Sequence, residues 1–337
     1  MTNLVNSTRG AAGWTVRYGL DAEERLVLAL RTTWDIKPDG RLVAIEKEPD
    51  LLLVDEYRDE PATSSLLREA ELAPAKPGTD VAVIGRAVAR GRDVKQMQVS
   101  LSCTGLPTNT LWVFGERKWN KRLMGHALSE SEPFESCDLA WELAAGGVDE
   151  KSAPPVNEPR NPVGRGLRGT KSKTALEETA VPRITAGEDD LVTPAGWGFV
   201  APNWAPRVDY AGTYDKAWQE DRFPLLPEDF DPRFFQTGAP GLTSSEPLQG
   251  PLQVRVRGCH RDGDLSFTVP AFEVTATIRI QKADDMACPL GLATVLIEPN
   301  DRRVSLLWRG EVNIHRRLER MQEMALTATG EGIGVKP

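Results

Sequence analysis

Long apolar runs are missing from this sequence. Its cleanest stretches, 26–30 and 51–54, are at most about five residues long, against the ~20 a helix needs to cross a bilayer. No membrane-spanning helix is therefore expected. The opening residues, MTNLVNSTRGAAGW, carry no apolar h-region, so no secretory signal is expected either, and the chain reads as cytoplasmic. Cysteine is scarce. Cys103, Cys137, Cys259 and Cys288 stand far apart without a CxxC spacing, which excludes a redox motif and a disulfide ladder and leaves four reduced, buried thiols as the expectation. Histidine is scarcer still: His126, His260 and His315 fit neither HxxxH nor HExxH, so no metal site and no cofactor are expected. There is no GxSxG elbow. An excess of positive charge is also lacking. With 49 acidic residues against 41 Lys and Arg, the formal charge is −8, a poor match for nucleic acid or an anionic membrane, both of which need a positive field.

Short elements and turns are abundant. Twenty-nine glycines and 25 prolines in 337 residues exceed the ~12% average share and favour many short strands over long helices. Over 26–36, Leu26, Leu28, Leu30, Trp34 and Ile36 alternate with Arg31, Thr33 and Asp35, the pattern of a half-buried strand. Pro38-Asp39-Gly40 marks a turn, with 42–45 as a hairpin return. Residues 81–88 read as a central strand, and 97–103 and 111–114 as further strands. Only 64–72 looks helical in this part. After residue 250, Leu252, Val254 and Val256 predict one strand, Asp262-Gly263 a hairpin turn, and Val274, Ala276, Ile278 and Ile280 a second strand. Val304, Leu306, Trp308 and Val312 predict a last one. Ile314, Leu318, Met321 and Ala325 recur at spacings of four, three and four, which predicts a short amphipathic helix. The expected fold is mainly β: antiparallel sheets in interlocked, sandwich-like lobes, with few short helices and long irregular loops. The boundaries are a tail over 1–12, an N-terminal β lobe over 13–143, a basic Gly/Pro-rich loop over 144–193, an aromatic segment and C-terminal β lobe over 194–313, and a short helix with a frayed tail over 314–337.

Two stretches invite a functional reading. Residues 164–169, GRGLRG, match the GxGxxG dinucleotide fingerprint, but the Pro-rich 153–162 before them cannot supply the buried strand that the phosphate site requires. The same stretch carries Arg160, Arg165, Arg168, Lys171 and Lys173. These read as a solvated loop, as a dock for an acidic protein, or as a nucleic-acid contact without aromatic stacking partners. Residues 194–236 hold ten of the chain's 22 aromatic residues among six prolines, so regular structure gives way to irregular chain fixed by aromatic burial. One short helix fits over 215–222. Leu318, Met321 and Met324 form a second candidate contact, since methionine adapts to irregular partners.

The aromatic segment is also distinctive as a string. Trp204-Ala205-Pro206-Arg207 leads into Tyr210-Ala211-Gly212-Thr213-Tyr214-Asp215, then Trp218, Pro227, Asp229 and Phe230. Other blocks accompany it in order: Lys76-Pro77-Gly78-Thr79-Asp80-Val81, Phe114-Gly115-Glu116-Arg117-Lys118-Trp119, Ala144-Ala145-Gly146-Gly147 and Asn161-Pro162-Val163-Gly164-Arg165-Gly166. Together, from about Gly13 to Val312, they resemble the bacterial domain-of-unknown-function family 2169, tied to type VI secretion. Ala145 stands where the family usually has an aromatic residue, and Gly238-Ala239-Pro240-Gly241-Leu242 where an Ala-Pro-x-x-Gln string is common. The resemblance implies a non-catalytic adaptor or chaperone that binds a secreted effector, or its PAAR-like carrier, and helps load it onto the VgrG spike. The competing expectations are a structural part of the injection apparatus and a carbohydrate- or small-molecule enzyme on a β scaffold.

Overall fold

The computed structural model describes residues 3–330, and strands hold 40% of the chain against 8% for helices, the mainly β architecture expected. Among the described residues, fourteen strands build two large sheets. Up to residue 185 these are β1 (Asn3–Asn6), β2 (Ala11–Tyr18), β3 (Glu24–Ile36), β4 (Leu42–Ala44), β5 (Asp80–Val83), β6 (Gln96–Cys103), β7 (Asn109–Phe114) and β8 (Ile184–Thr185). In the last third they are β9 (Leu252–Arg257), β10 (Leu265–Val269), β11 (Glu273–Ile280), β12 (Met286–Glu298), β13 (Arg303–Asn313) and β14 (Met321–Thr329). The larger sheet runs β1-β14-β11-β12-β13-β3-β2, with β4 added to β3 and β5 to β12. The smaller runs β8-β7-β6-β9-β10. Pairing is antiparallel except for β1 with β14 and β5 with β12.

Each sheet draws strands from both 13–143 and 194–313, so the two stretches interlock rather than stand side by side. Their alternating faces meet in one core. Leu252, Val254 and Val256 of β9, Leu265 and Phe267 of β10, and Val274, Ala276 and Ile278 of β11 all belong to it, as do Leu26, Leu28 and Leu30 of β3. All four cysteines are buried and unpaired. No helix among the described residues is long and apolar enough to cross a membrane.

Five readings are corrected by the structure. Strand β3 is buried on both faces, not one: Val27 and Ala29 are fully buried, and Arg31 and Thr33 nearly so. The polar face is covered by the segment after β4, whose Glu48 and Glu71 receive the Arg31 guanidinium at 2.8 and 2.6 Å. Residues 64–72 are not a helix. Leu66–Arg68 pairs with Glu56–Tyr57, and the stretch is drawn open by tertiary bonds, with Ser65 donating to Glu142 through both backbone N–H and hydroxyl. Of the expected tail over 1–12, the described residues 3–12 hold β1 and the start of β2. The expected helix after Ile314 is a 3-10 turn, Leu318–Arg320, followed by β14, which lies between β1 and β11. Thr329 belongs to that strand, and the remainder of the expected frayed end, 331–337, lies outside the described residues.

The fifth correction concerns 144–193, which is tied down rather than free. Asn161 is fully buried and its side-chain N–H groups donate to the carbonyls of Trp141 and Ala145 at 2.8 and 2.9 Å. Ala145–Gly146 pairs in parallel with Arg165–Gly166, joining two of the blocks quoted above. A Cβ on Gly164 would stand 2.8 Å from the Ala144 carbonyl and 2.9 Å from the Gly146 Cα. That glycine of the GxGxxG string serves a close approach of two backbones.

Candidate binding surfaces

The aromatic segment divides into a buried stem and an exposed tip. In the stem, Trp197, Phe199 and Trp204 are buried, and Trp204 meets Trp141 edge-on at 6.0 Å. Arg207 is buried with them; its guanidinium donates to the carbonyls of Val200 at 2.6 Å and Phe234 at 3.0 Å and lies 5.1 Å from the Phe234 ring. Burial lowers its pKa from the usual value, against the carboxylates of Glu69, Asp55 and Asp80. Phe230 is buried, while Tyr210 and Phe234 are half-buried. Arg233 covers the Tyr210 ring at 4.3 Å.

Beyond Tyr210 the chain turns outward through a neck. Gly212 has φ +79°, and a Cβ there would meet Asp229 Oδ1 at 2.8 Å and Pro227 Cβ at 2.9 Å. Both Asp229 oxygens accept from Thr213, one from its N–H at 2.9 Å and one from its hydroxyl at 2.7 Å. These two bonds hold the carboxyl below the usual range. Asp215 caps the short helix α1 (Lys216–Asp221) by accepting from the Trp218 N–H at 2.8 Å, as the reading of 215–222 anticipated. Asp215 and Asp229 thus serve backbone geometry.

At the tip, Trp218 is half-buried between Tyr214 and Phe223, with ring centroids at 4.7 and 5.7 Å, both edge-on. Tyr214 and Phe223 are 52% and 67% exposed. The expected fixing of this segment by aromatic burial therefore holds fully, among Trp204, Tyr210, Tyr214, Trp218, Phe230 and Phe234, only for Trp204 and Phe230. A cavity of about 310 Å³ opens beside Trp218, lined among others by Asp215, Asp221, Glu228 and Asp229. Arg222 ties the tip to the body, donating to the carbonyls of Leu20 and Leu226, each at 2.6 Å.

The basic residues do not form one cluster of free cations. Arg160 is held by Glu158 at 2.7 Å; Arg165 is half-buried and donates to the Glu142 carbonyl at 3.0 Å. Arg168 donates to the Thr174 carbonyl and is exposed, as are Lys171 and Lys173. The methionine stripe is core: Met321 and Met324 are buried, and Leu318 packs against the core. Its reading as a partner surface fails for Met321 and Met324, which β14 turns inward, while Leu318, in the 3-10 turn before it, is half-buried.

Two features escaped the sequence. One is a buried ion cluster at the Lys76–Asp80 block. The Lys76 ammonium has no exposed surface and donates to Glu69 at 2.7 Å, Asp80 at 2.6 Å, Thr294 at 2.9 Å and Thr237 at 3.0 Å. Arg309 stands 3.4 Å from Glu69. The other is a β-hairpin, Trp119–Arg122 with Gly125–Leu128, whose turn residues Leu123 and Met124 are 103% and 94% exposed. An apolar pair at a turn position, where Asn, Asp or Gly is usual, was the available signal.

Residues 21–309 match a protein family described as uncharacterized and conserved in bacteria, domain of unknown function 2169. The chain belongs to this family. The matched stretch thus holds the whole smaller sheet, the ion cluster and the aromatic stem and tip, while β1, β2 and β14 of the larger sheet lie outside it. No curated protein and no solved structure matches the chain.

Proposed function

We propose that this 2169-family protein is a type VI secretion adaptor: in the cytoplasm it binds an effector, or its PAAR-like carrier, and assists loading onto the VgrG spike, by protein contact and without catalysis. The observation that carries this reading is the aromatic tip. Natural surfaces enriched in Tyr, Trp and Phe with a few ordered polar groups are typical of protein contacts. Tyr214, Trp218 and Phe223 are fixed in place by stacking, by the Asp215 cap and by the Arg222 tether, so little side-chain entropy remains to be lost on binding. The acidic rim suits a cargo segment that is apolar with Lys or Arg beside it. The same geometry favours this over carbohydrate chemistry, because Asp215 and Asp229 are engaged with backbone N–H groups rather than facing a substrate as an acid–base pair.

The test is a deletion strain complemented with the wild-type gene or with a Tyr214→Ser/Phe223→Ser variant. We expect one effector to disappear from the culture medium while the spike proteins still leave the cell. The wild type should restore it and the variant should not. Full effector secretion by the deletion strain would overturn the proposal.

A further inference from the structure

We infer that the Leu123–Met124 hairpin of one copy of this chain docks in the acidic, Trp218-lined cavity of another. The hairpin breaks a local rule. A two-residue turn needs small or polar residues, yet both side chains here are apolar and stand clear of their own chain. Its base, in contrast, is fixed. Trp119 and Leu128 pair and are half-buried, and His126 lies 3.1 Å from Glu177. Departures from local consistency on an otherwise well-supported element mark function. The flanks carry three exposed cations, Lys118, Lys121 and Arg122, with the Glu177 carboxylate beside His126 and in the field of Lys121. In a chain of charge −8 this is a local inversion of sign.

The complementary surface is on the same molecule. The cavity of about 310 Å³ beside Trp218 has four carboxylates on its wall; its one lining cation, Arg222, is already directed at Leu20, Leu226 and Glu228. Lys216, at its edge, is paired with Glu220. An apolar plug with basic flanks thus matches a pocket that offers the Trp218 ring, Ala217 and Pro227 inside an acidic rim. Plug and pocket are different patches, so the contact is heterologous and can propagate head to tail. Two side chains and a charged rim make a contact below the ~1,200 Å² of a stable interface, so association is weak and salt-sensitive. The contact covers the surface proposed above to hold cargo, yet stands independently of the secretion reading.

Sedimentation velocity on the purified full chain, from micromolar to near-millimolar concentration, tests it. We expect mass to rise with concentration at low salt and to fall back in high salt. Leu123→Ser/Met124→Ser and Asp221→Lys/Glu228→Lys, all at exposed positions, should each keep the wild-type circular dichroism and melting point and weaken association about tenfold or more. An equimolar mixture of the two variants retains one intact plug and one intact pocket, so it should form dimers and nothing larger. Wild type that stays monomeric throughout, association that neither variant weakens, or a mixture that fails to dimerise would each overturn the inference, the last in favour of a symmetric contact.

Discussion

Lys76 shows how far a side chain's surroundings can depart from its neighbourhood in sequence. A Lys four residues before an Asp reads as a solvated surface pair. Here the pair is fully buried; Glu69 stands seven residues away, but Thr237 and Thr294 lie 161 and 218 residues away, so the cluster closes only in the fold. Burial on its own would raise the Glu69 pKa; the charges of Lys76 and Arg309 and the bonds from Lys76 and Thr294 outweigh it and hold the carboxyl at about 2. A carboxyl held below its unfolded value of about 4.3 contributes stability at neutral pH that is lost as pH falls toward its folded value. Glu69→Gln leaves Lys76 and Arg309 undercompensated and should cost ~3–5 kcal/mol at pH 7. In urea titrations the gap between wild type and variant should narrow below pH ~4.3 and be smallest near pH 2. A gap independent of pH would show that the cost is steric.

At the level of elements, alternation was legible wherever one sheet face meets the core. Strands β9 and β11 follow the expected pattern, as Leu252 to Val256 and Val274 to Ile280 show, whereas β10, which returns from the Asp262-Gly263 turn, was not among the expected strands. The helix expected after Ile314 failed for a specific reason. Met321 pairs with Ile280 and Glu323 with Arg279, a register shift that adds one residue to β14. The bulge stretches a spacing of two into the three between Met321 and Met324, and period 2 then resumes at Leu326. A bulged strand thus imitates a helical stripe. Truncation after Asn313 removes β14 and bares the edge of β11, with Val274, Ala276 and Ile278 on the core side. The truncated chain should aggregate on expression, and a soluble product melting like the full chain would count against this. The aromatic segment was legible as a site of burial, but not its split into stem and tip, because that depends on where the Gly212 neck leaves the body. Trp218 is half-buried and makes two edge-on ring contacts, each worth ~0.5–1.5 kcal/mol. Trp218→Ala should therefore cost ~1–3 kcal/mol in chemical denaturation, whereas Trp204→Ala, in the closed stem, should cost ~3–5 kcal/mol.

For the molecule as a whole, the decisive feature is that two sheets share one core. Burial raises the thiol pKa to about 11 for Cys103 and Cys137 and to about 12 for Cys259 and Cys288, so none should react readily with a disulfide reagent in the native state. Cys103 lies in the smaller sheet and Cys288 in the larger. If the core is one cooperative unit, all four thiols should become reactive at a single rate in moderate denaturant. Mass spectrometry of partly labelled protein should then find only unlabelled and fully labelled chains. A species labelled at Cys288 alone would show that the sheets open separately. The interlocking itself was expected from strands with only one satisfied face, but the order of the strands was not, since pairing partners so distant in sequence leave no local trace.

That strand order has a consequence for the ribosome. Thr33 of β3 meets Ser305 of β13 across 272 residues of chain. At ~5–20 residues per second of synthesis, the apolar β2–β3 hairpin waits roughly 14–54 s for the strand that covers its edge. Throughout that interval it is an open template for the wrong partner. Nascent chains should accordingly lean on general chaperones during translation, and a slowly translated message should yield less soluble protein than a fast one.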